Sequence, residues 1–180
     1  MSRLQVFAAE DAATPLLDTA DAAEIATALG EAGVRFERWP LKPVMADSDP
    51  LTVYADEVAR LTAEGGYQSI DVARITPDHP DRATLREKFL SEHTHAEDEV
   101  RFFLDGEGLF TLHHDSRVFA MLCGAGDLIS VPAGMRHWFD MGAAPRFTAI
   151  RLFLNPDGWI AQFTGSDIAD RFPRLEPALA

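Results

Sequence analysis

Residues 91–103 read SEHTHAEDEVRFF. Two histidines and three carboxylates fall between His93 and Glu99, and the chain then runs directly into Val100-Arg101-Phe102-Phe103. Charge is costly to bury unless something pairs with it. The stretch is therefore either a solvated loop or a set of ligands gathered around a cation at the mouth of a buried strand. In an extended chain, side chains two apart share a face. His93 and His95 point the same way, and Glu97 and Glu99 share their parity, so alternation alone does not choose between the two carboxylates. A further imidazole, His137, stands in VPAGMRHW at the entrance to a later strand. Donors this far apart in sequence meet only if a sheet curves around them.

The surroundings of the stretch support such a sheet. After residue 91, runs of strand character alternate with turn residues: EVRFFL then DGEG, LFTLH then HDSR, VFAMLC then GAGD, LISV then PAGM, RHWFDM then GAAP, RFTAIRLFL then NPDG. Short strands at this spacing predict an antiparallel sandwich or small barrel. The first 90 residues are mixed. RLQVFA (3–8), VRFERW (34–39) and SIDVARI (69–75) read as strands. Residues 21–33 place Ile25, Ala28, Leu29 and Ala32 at helical spacing, residues 51–64 do so with Tyr54, Val58 and Leu61, and a short helix after Pro80 carries Leu85 and Phe89. The expected organisation is one domain over 1–180. An α/β region (1–90) precedes a metal-binding barrel core (91–155), and a tail (156–180) packs at first and then frays.

The chain has 180 residues, 47% of them hydrophobic and 25% charged, which suits one globular domain with a core of its own. A net charge of −13 argues against a nucleic-acid partner, which needs clustered Lys and Arg, and self-repulsion favours a monomer. Cys123 is the single cysteine, so no internal disulfide and no CxxC metal signature exist. Together with the absence of a leader-like apolar stretch or an 18-residue apolar run, this points to the cytoplasm and to no membrane partner.

The motif spacing carries a resemblance. His93-x-His95-x₃-Glu99-x₆-Gly106 resembles the first metal-binding motif of the cupin superfamily, and Gly126-x₅-Pro132-x-Gly134-x₂-His137 resembles the second. The superfamily's leading glycine falls at Glu87 here and its closing asparagine at Met141. A more specific resemblance follows from EHTHAEDEVRFF, LISVPAGMRHWFDMG, FTAIRLF, GWIAQFTG, VRFERW, GYQSIDV and REKFL: together they are similar to the acireductone dioxygenases of methionine salvage. The resemblance implies a mainly β fold with some helix, a cupin-type double-stranded β-barrel (jelly roll) preceded by an α/β region. It implies His93, His95, Glu99 and His137 as ligands, choosing Glu99 over Glu97, so that Glu97→Ala should be mild.

Nitrogen and oxygen donors without thiolate suit one divalent ion of iron, nickel, cobalt or manganese, and the resemblance implies Fe(II) or Ni(II). Four protein ligands leave two positions of a six-coordinate ion for a substrate with adjacent oxygens. The resemblance implies a small acireductone (1,2-dihydroxy-3-keto-5-methylthiopentene) and O₂ as co-substrates. An iron form would give formate and 4-methylthio-2-oxobutanoate. A nickel form would give carbon monoxide, formate and 3-methylthiopropionate.

Arg101 shares the parity of Glu99 and should face the metal. Arg151 sits mid-strand between Ile150 and Leu152 and must find an anion. Both match arginines of the family, with catalytic roles. Phe89, Phe139 and Trp159 are the candidate pocket for a thioether tail. Glu92 and Asp98 are candidates to orient imidazole N–H groups. His113 and His114 read as exposed hairpin residues, and Cys123 as a packed one. Two further readings share the ligand set: another cupin metalloenzyme, such as an isomerase or quercetin-type dioxygenase, and a non-catalytic cupin binding module.

Overall fold

A computed structural model describes residues 1–45, 48–155 and 159–175. The chain runs through β1 (Arg3–Ala8), β2 (Asp11–Thr19), α1 (Ala22–Glu31), β3 (Arg35–Arg38), α2 (Pro50–Val53), α3 (Ala55–Gly65), β4 (Ser69–Ile75) and α4 (Arg82–Phe89). It continues with β5 (His93–Thr94), β6 (Glu99–His114), β7 (Arg117–Gly124), β8 (Asp127–Val131), β9 (Arg136–Asp140), β10 (Phe147–Phe153) and β11 (Gln162–Phe163), then a 3₁₀ turn at Ile168–Asp170. The fraying end expected beyond Leu175, and part of the NPDG turn, lie outside the described residues. Among the described residues no helix is long and apolar enough to cross a membrane.

The fold is mainly β with a few helices, in the cupin manner. One leaf orders its strands β11-β5-β9-β6-β7-β1-β2. The other runs β4-β10-β6-β8-β3. Every pairing is antiparallel, and β6 belongs to both leaves. Its first half, Glu99–Phe102, pairs with β8, and its second half, Glu107–His114, pairs with β7. The sequence predicts a turn at DGEG; instead β6 passes through those residues as one 16-residue strand that bends. Two devices make the bend. Thr148 pairs with Asp105 but Ala149 pairs with Phe103, so Leu104 bulges out of register. Gly106 then adopts a left-handed φ of 71°, and a Cβ there would meet the Arg146 carbonyl oxygen at 1.7 Å. Gly106→Ala should therefore destabilise by about 2–3 kcal/mol, from backbone strain and forced separation of β6 from β10. A denaturant midpoint unchanged from wild type would contradict this account.

Alternation along the bent strands sorts the side chains into layers. Phe103, Phe110, Leu112, Phe119, Met121, Ile129, Val131, Phe139 and Phe147 fill the space between the leaves. Helix α1 adds Ile25 and Leu29, both fully buried, each contributing about 1.5–3 kcal/mol. Its start is fixed by Asp21, whose carboxylate accepts the N–H groups of Ala23 and Glu24. The opposite faces have separate covers. Val100, Phe102, Ile150 and Leu152 pack under Tyr54 and Leu61 of the α2–α3 region. Leu109, Val118 and Trp138 pack under Ile168, Ala169 and Phe172.

The helix expected over 51–64 is split at Tyr54, whose hydroxyl accepts the N–H of Lys42 at 2.7 Å. Strand β2 is not visible in the sequence, because DAATPLLDT lacks alternation and contains Pro15. It lies at the edge of its leaf, where a missing N–H costs no ladder bond.

Candidate metal centre

β5 is two residues long and meets β9 through a single residue pair, His93 opposite His137. That register places both rings on one face. His95 follows as the chain leaves β5, and Glu99 opens β6 after a short turn, so the four side chains come from three strand ends. The three imidazoles and the Glu99 carboxylate are each 1–3% exposed. Ring centroids lie 4.5 Å apart for His93 and His137, 5.0 Å for His93 and His95, and 5.1 Å for His95 and His137. The ligand nitrogens of the three rings lie within 4.8 Å of one another.

Each ring is turned by a backbone carbonyl. His93 Nδ1–H donates to Ser91 O at 2.8 Å, His95 Nδ1–H to Ile160 O at 3.0 Å, and His137 Nδ1–H to Met135 O at 2.8 Å. A carbonyl only accepts, so Nδ1 carries the proton, and in the neutral ring Nε2 presents its lone pair. Glu99 Oε2 lies 3.1 Å from Nε2 of both His95 and His137. Two lone pairs and a carboxylate oxygen aimed at each other repel unless positive charge stands between them. Neighbouring donors on a metal with bonds near 2.1 Å are about 3 Å apart. The donor set and its spacing thus fit a divalent ion of the first transition series.

The ionisation pattern carries the same demand. Burial, helped by His137, lowers His93 to about 4, which leaves it neutral. Burial would also lower His95, but the Glu99 carboxylate overrides it and raises His95 above 6.5. Burial would raise the Glu99 carboxyl, yet Arg101, His137 and His95 hold it well below 4.5.

Arg101 brings Nη2 to 2.8 Å from Glu99 Oε1, the carboxylate oxygen turned away from the histidines. Its guanidinium lies over three rings, with centroids at 4.4 Å for Phe139, 5.2 Å for Phe110 and 5.2 Å for Trp159. The buried Nε–H has no hydrogen-bond partner among the described residues.

The ARD/ARD′ family profile matches residues 5–161. The chain belongs to the ARD/ARD′ family. An acireductone dioxygenase of Parasynechococcus marenigrum is 56% identical over 98% of this chain and all of its own length. One from Parvibaculum lavamentivorans is 54% identical, over 98% of each. The solved acireductone dioxygenase of Bacillus anthracis, which holds a cadmium ion in its active centre, superposes with a TM-score of 0.79 at 28% identity. It covers 91% of this chain and 98% of that one. The resemblance drawn from the motifs is thereby shown, and the chain is an enzyme of this family rather than a non-catalytic cupin module.

Other residues singled out from the sequence divide. The three candidate aromatics each lie beside a histidine of the cluster or beside Arg101. The Phe89 ring lies 6.0 Å from His93, Trp159 lies 6.2 Å from His95, and Phe139 lies beneath Arg101. Arg151 finds its anion in Asp71, Nε and Nη2 donating to its two oxygens at 2.8 and 2.6 Å, and its guanidinium lies 5.6 Å from the Trp159 ring. Asp71 is its direct neighbour across the β10–β4 ladder. Glu92 and Asp98 do not orient the ligand imidazoles, because carbonyls do. Glu92 is buried between His113 Nδ1 at 2.6 Å and the Thr164 hydroxyl at 2.7 Å, and Asp98 accepts the N–H of Ala133 at 2.9 Å. His113, expected at an exposed hairpin, is nearly buried by that pairing. Cys123 packs in the core as expected.

Phe163 lies in the GWIAQFTG stretch but is not among the candidate site residues read from the sequence. It stands 5.8 Å from His93 yet is 57% exposed, and with exposed Ile160 it forms an apolar rim beside the centre. Its strand is two residues long, too short for periodicity to reveal.

Proposed function

We propose that this chain is a metal-dependent acireductone dioxygenase in which His93, His95, Glu99 and His137 hold one divalent ion, Fe(II) or Ni(II). The observation that carries the reading is the convergence of three carbonyl-fixed imidazoles on the oxygen of one buried carboxylate. The cadmium in the active centre of the Bacillus anthracis relative supports a metal there. Bound at this point, the ion would supply Lewis-acid activation and a template for a substrate with adjacent oxygens, together with O₂.

The protein's own groups do the rest. Ser91, Met135 and Ile160 keep the imidazoles in the donor tautomer. Arg101 has one face committed to Glu99 and a free Nε–H, so it can hold an enediolate oxygen and stabilise its deprotonated form. Phe89, Trp159 and Phe139 supply apolar and aromatic surface for a thioether tail and exclude water around the charge. In this reading Fe(II) loading yields formate and 4-methylthio-2-oxobutanoate, and Ni(II) loading yields carbon monoxide, formate and 3-methylthiopropionate. The place of action is methionine salvage in the cytoplasm.

Elemental analysis of purified protein followed by oxygen uptake with the acireductone tests the proposal. About one divalent ion per chain and rapid O₂ consumption are expected. A fully loaded protein that consumes no O₂ with this substrate would sink it.

A further inference from the structure

Glu97 lies in the turn between the ligands His95 and Glu99, has ligand parity, and from sequence looks spare. The structure gives it another task. Its Oε2 accepts two consecutive backbone N–H groups, Leu154 at 2.8 Å and Asn155 at 2.8 Å, where β10 ends. A carboxylate accepting paired N–H groups makes strong, geometrically specific bonds. The same turn is fastened again one residue on, where the Asp98 carbonyl accepts the Trp159 indole N–H at 3.1 Å. On its other side it is fastened to the segment leading to His137, because His95 O accepts Gly134 N and Asp98 Oδ1 accepts Ala133 N, both at 2.9 Å.

Two groups a few residues beyond Asn155 reach the centre. Ile160 O receives the Nδ1–H of His95, and the Trp159 indole covers Arg101 at 5.2 Å and stacks on Phe153 at 4.4 Å. Glu97 touches none of the histidines; it holds the chain at Leu154 and Asn155, a few residues before Trp159 and Ile160. We propose that Glu97 is a positioning residue of this enzyme, acting through Leu154 and Asn155 to set Trp159 and Ile160 against Arg101 and His95. The proposal rests on the metal-centred reading above for its catalytic consequence only.

Glu97→Ala and Glu97→Gln test it, since the Gln carbonyl oxygen can still accept both N–H groups. The Ala variant should keep its four donors and bind Ni(II) stoichiometrically, while kcat falls about 10–100-fold, the range seen when partners behind a metal ligand are removed. The Gln variant should recover most of that loss. Tryptophan emission should change on Glu97→Ala, and the change should vanish in a Trp159→Phe background. Wild-type kcat in the Ala variant overturns the proposal. So does a Gln variant as impaired as Ala, a lowered melting temperature with unaltered kcat and KM, or an emission change that survives Trp159→Phe. If wild-type protein shows no turnover, the functional reading fails, while the emission and Ni(II) measurements still decide whether Glu97 sets Trp159.

Discussion

His137→Ala should abolish metal retention and turnover together. The ring is 2% exposed, faces His93 across the only residue pair joining β5 to β9, and lies 3.1 Å from the Glu99 oxygen that also faces His95. Removing it deletes one of the four proposed donors and one of the two imidazoles that flank Glu99. Altering groups behind a ligand costs about 10–100-fold in affinity, so loss of the ligand itself should exceed about 100-fold. Isothermal titration with Ni(II) and elemental analysis measure the first effect, and oxygen uptake the second. Full metal content with unchanged turnover would remove His137 from the site. In wild-type protein the same experiment has a signed pH dependence. His95 is raised above 6.5 by Glu99, and an incoming cation must displace that proton. Affinity should therefore climb as pH rises through the His95 titration and level off above it.

The site was more legible in the sequence than its supports. Parity grouped His93 and His95 with both Glu97 and Glu99, and the motif spacing chose Glu99 and reached His137, although β5 ends at Thr94 and β6 begins only at Glu99. The strands EVRFFL, VFAMLC, LISV, RHWFD and FTAIRLF stand out as short apolar runs between turn residues, because each is buried along nearly its whole length. What stayed hidden depends on contacts between distant segments. Asp71 captures Arg151 from 80 residues away, and Thr164 and His113 enclose Glu92 from 72 and 21 residues away. No local pattern encodes such pairs. The bend in β6 was hidden for a different reason: DGEG has turn composition, and only the close approach of Arg146 shows why the glycine serves a continuing strand. The tautomer-fixing carbonyls of Ser91, Met135 and Ile160 were invisible in principle, since every residue has a carbonyl and only the fold selects which one faces a ring.

Asp140→Ala should cost about 3–5 kcal/mol. The Asp140 carboxylate is 1% exposed and accepts four hydrogen bonds: Arg86 Nε at 2.7 Å and Nη2 at 2.9 Å, Gly142 N at 2.8 Å, and Leu175 N at 3.0 Å. These join β9, α4 and the C-terminal segment at one point. Truncation removes the bidentate acceptor of Arg86 and leaves the backbone N–H groups of Gly142 and Leu175 facing a cavity. For a chain of this size the melting temperature should drop by about 10 °C. Because α4 carries Phe89, which lies 6.0 Å from His93, loosening that helix should reach the centre as well as the melt. Burial pushes the Asp140 carboxyl up, but Arg86 and the N–H groups of Gly142 and Leu175 prevail and hold it below 3.8. A carboxyl depressed in the folded state stabilises fully above its unfolded pKa, and that contribution is lost as pH falls through the folded value. Wild type and variant should thus differ most above about pH 4 and converge on acidification below it. A melting temperature unchanged by the substitution at neutral pH, or a gap that widens in acid, would show that the four bonds to Asp140 do not hold these three elements together.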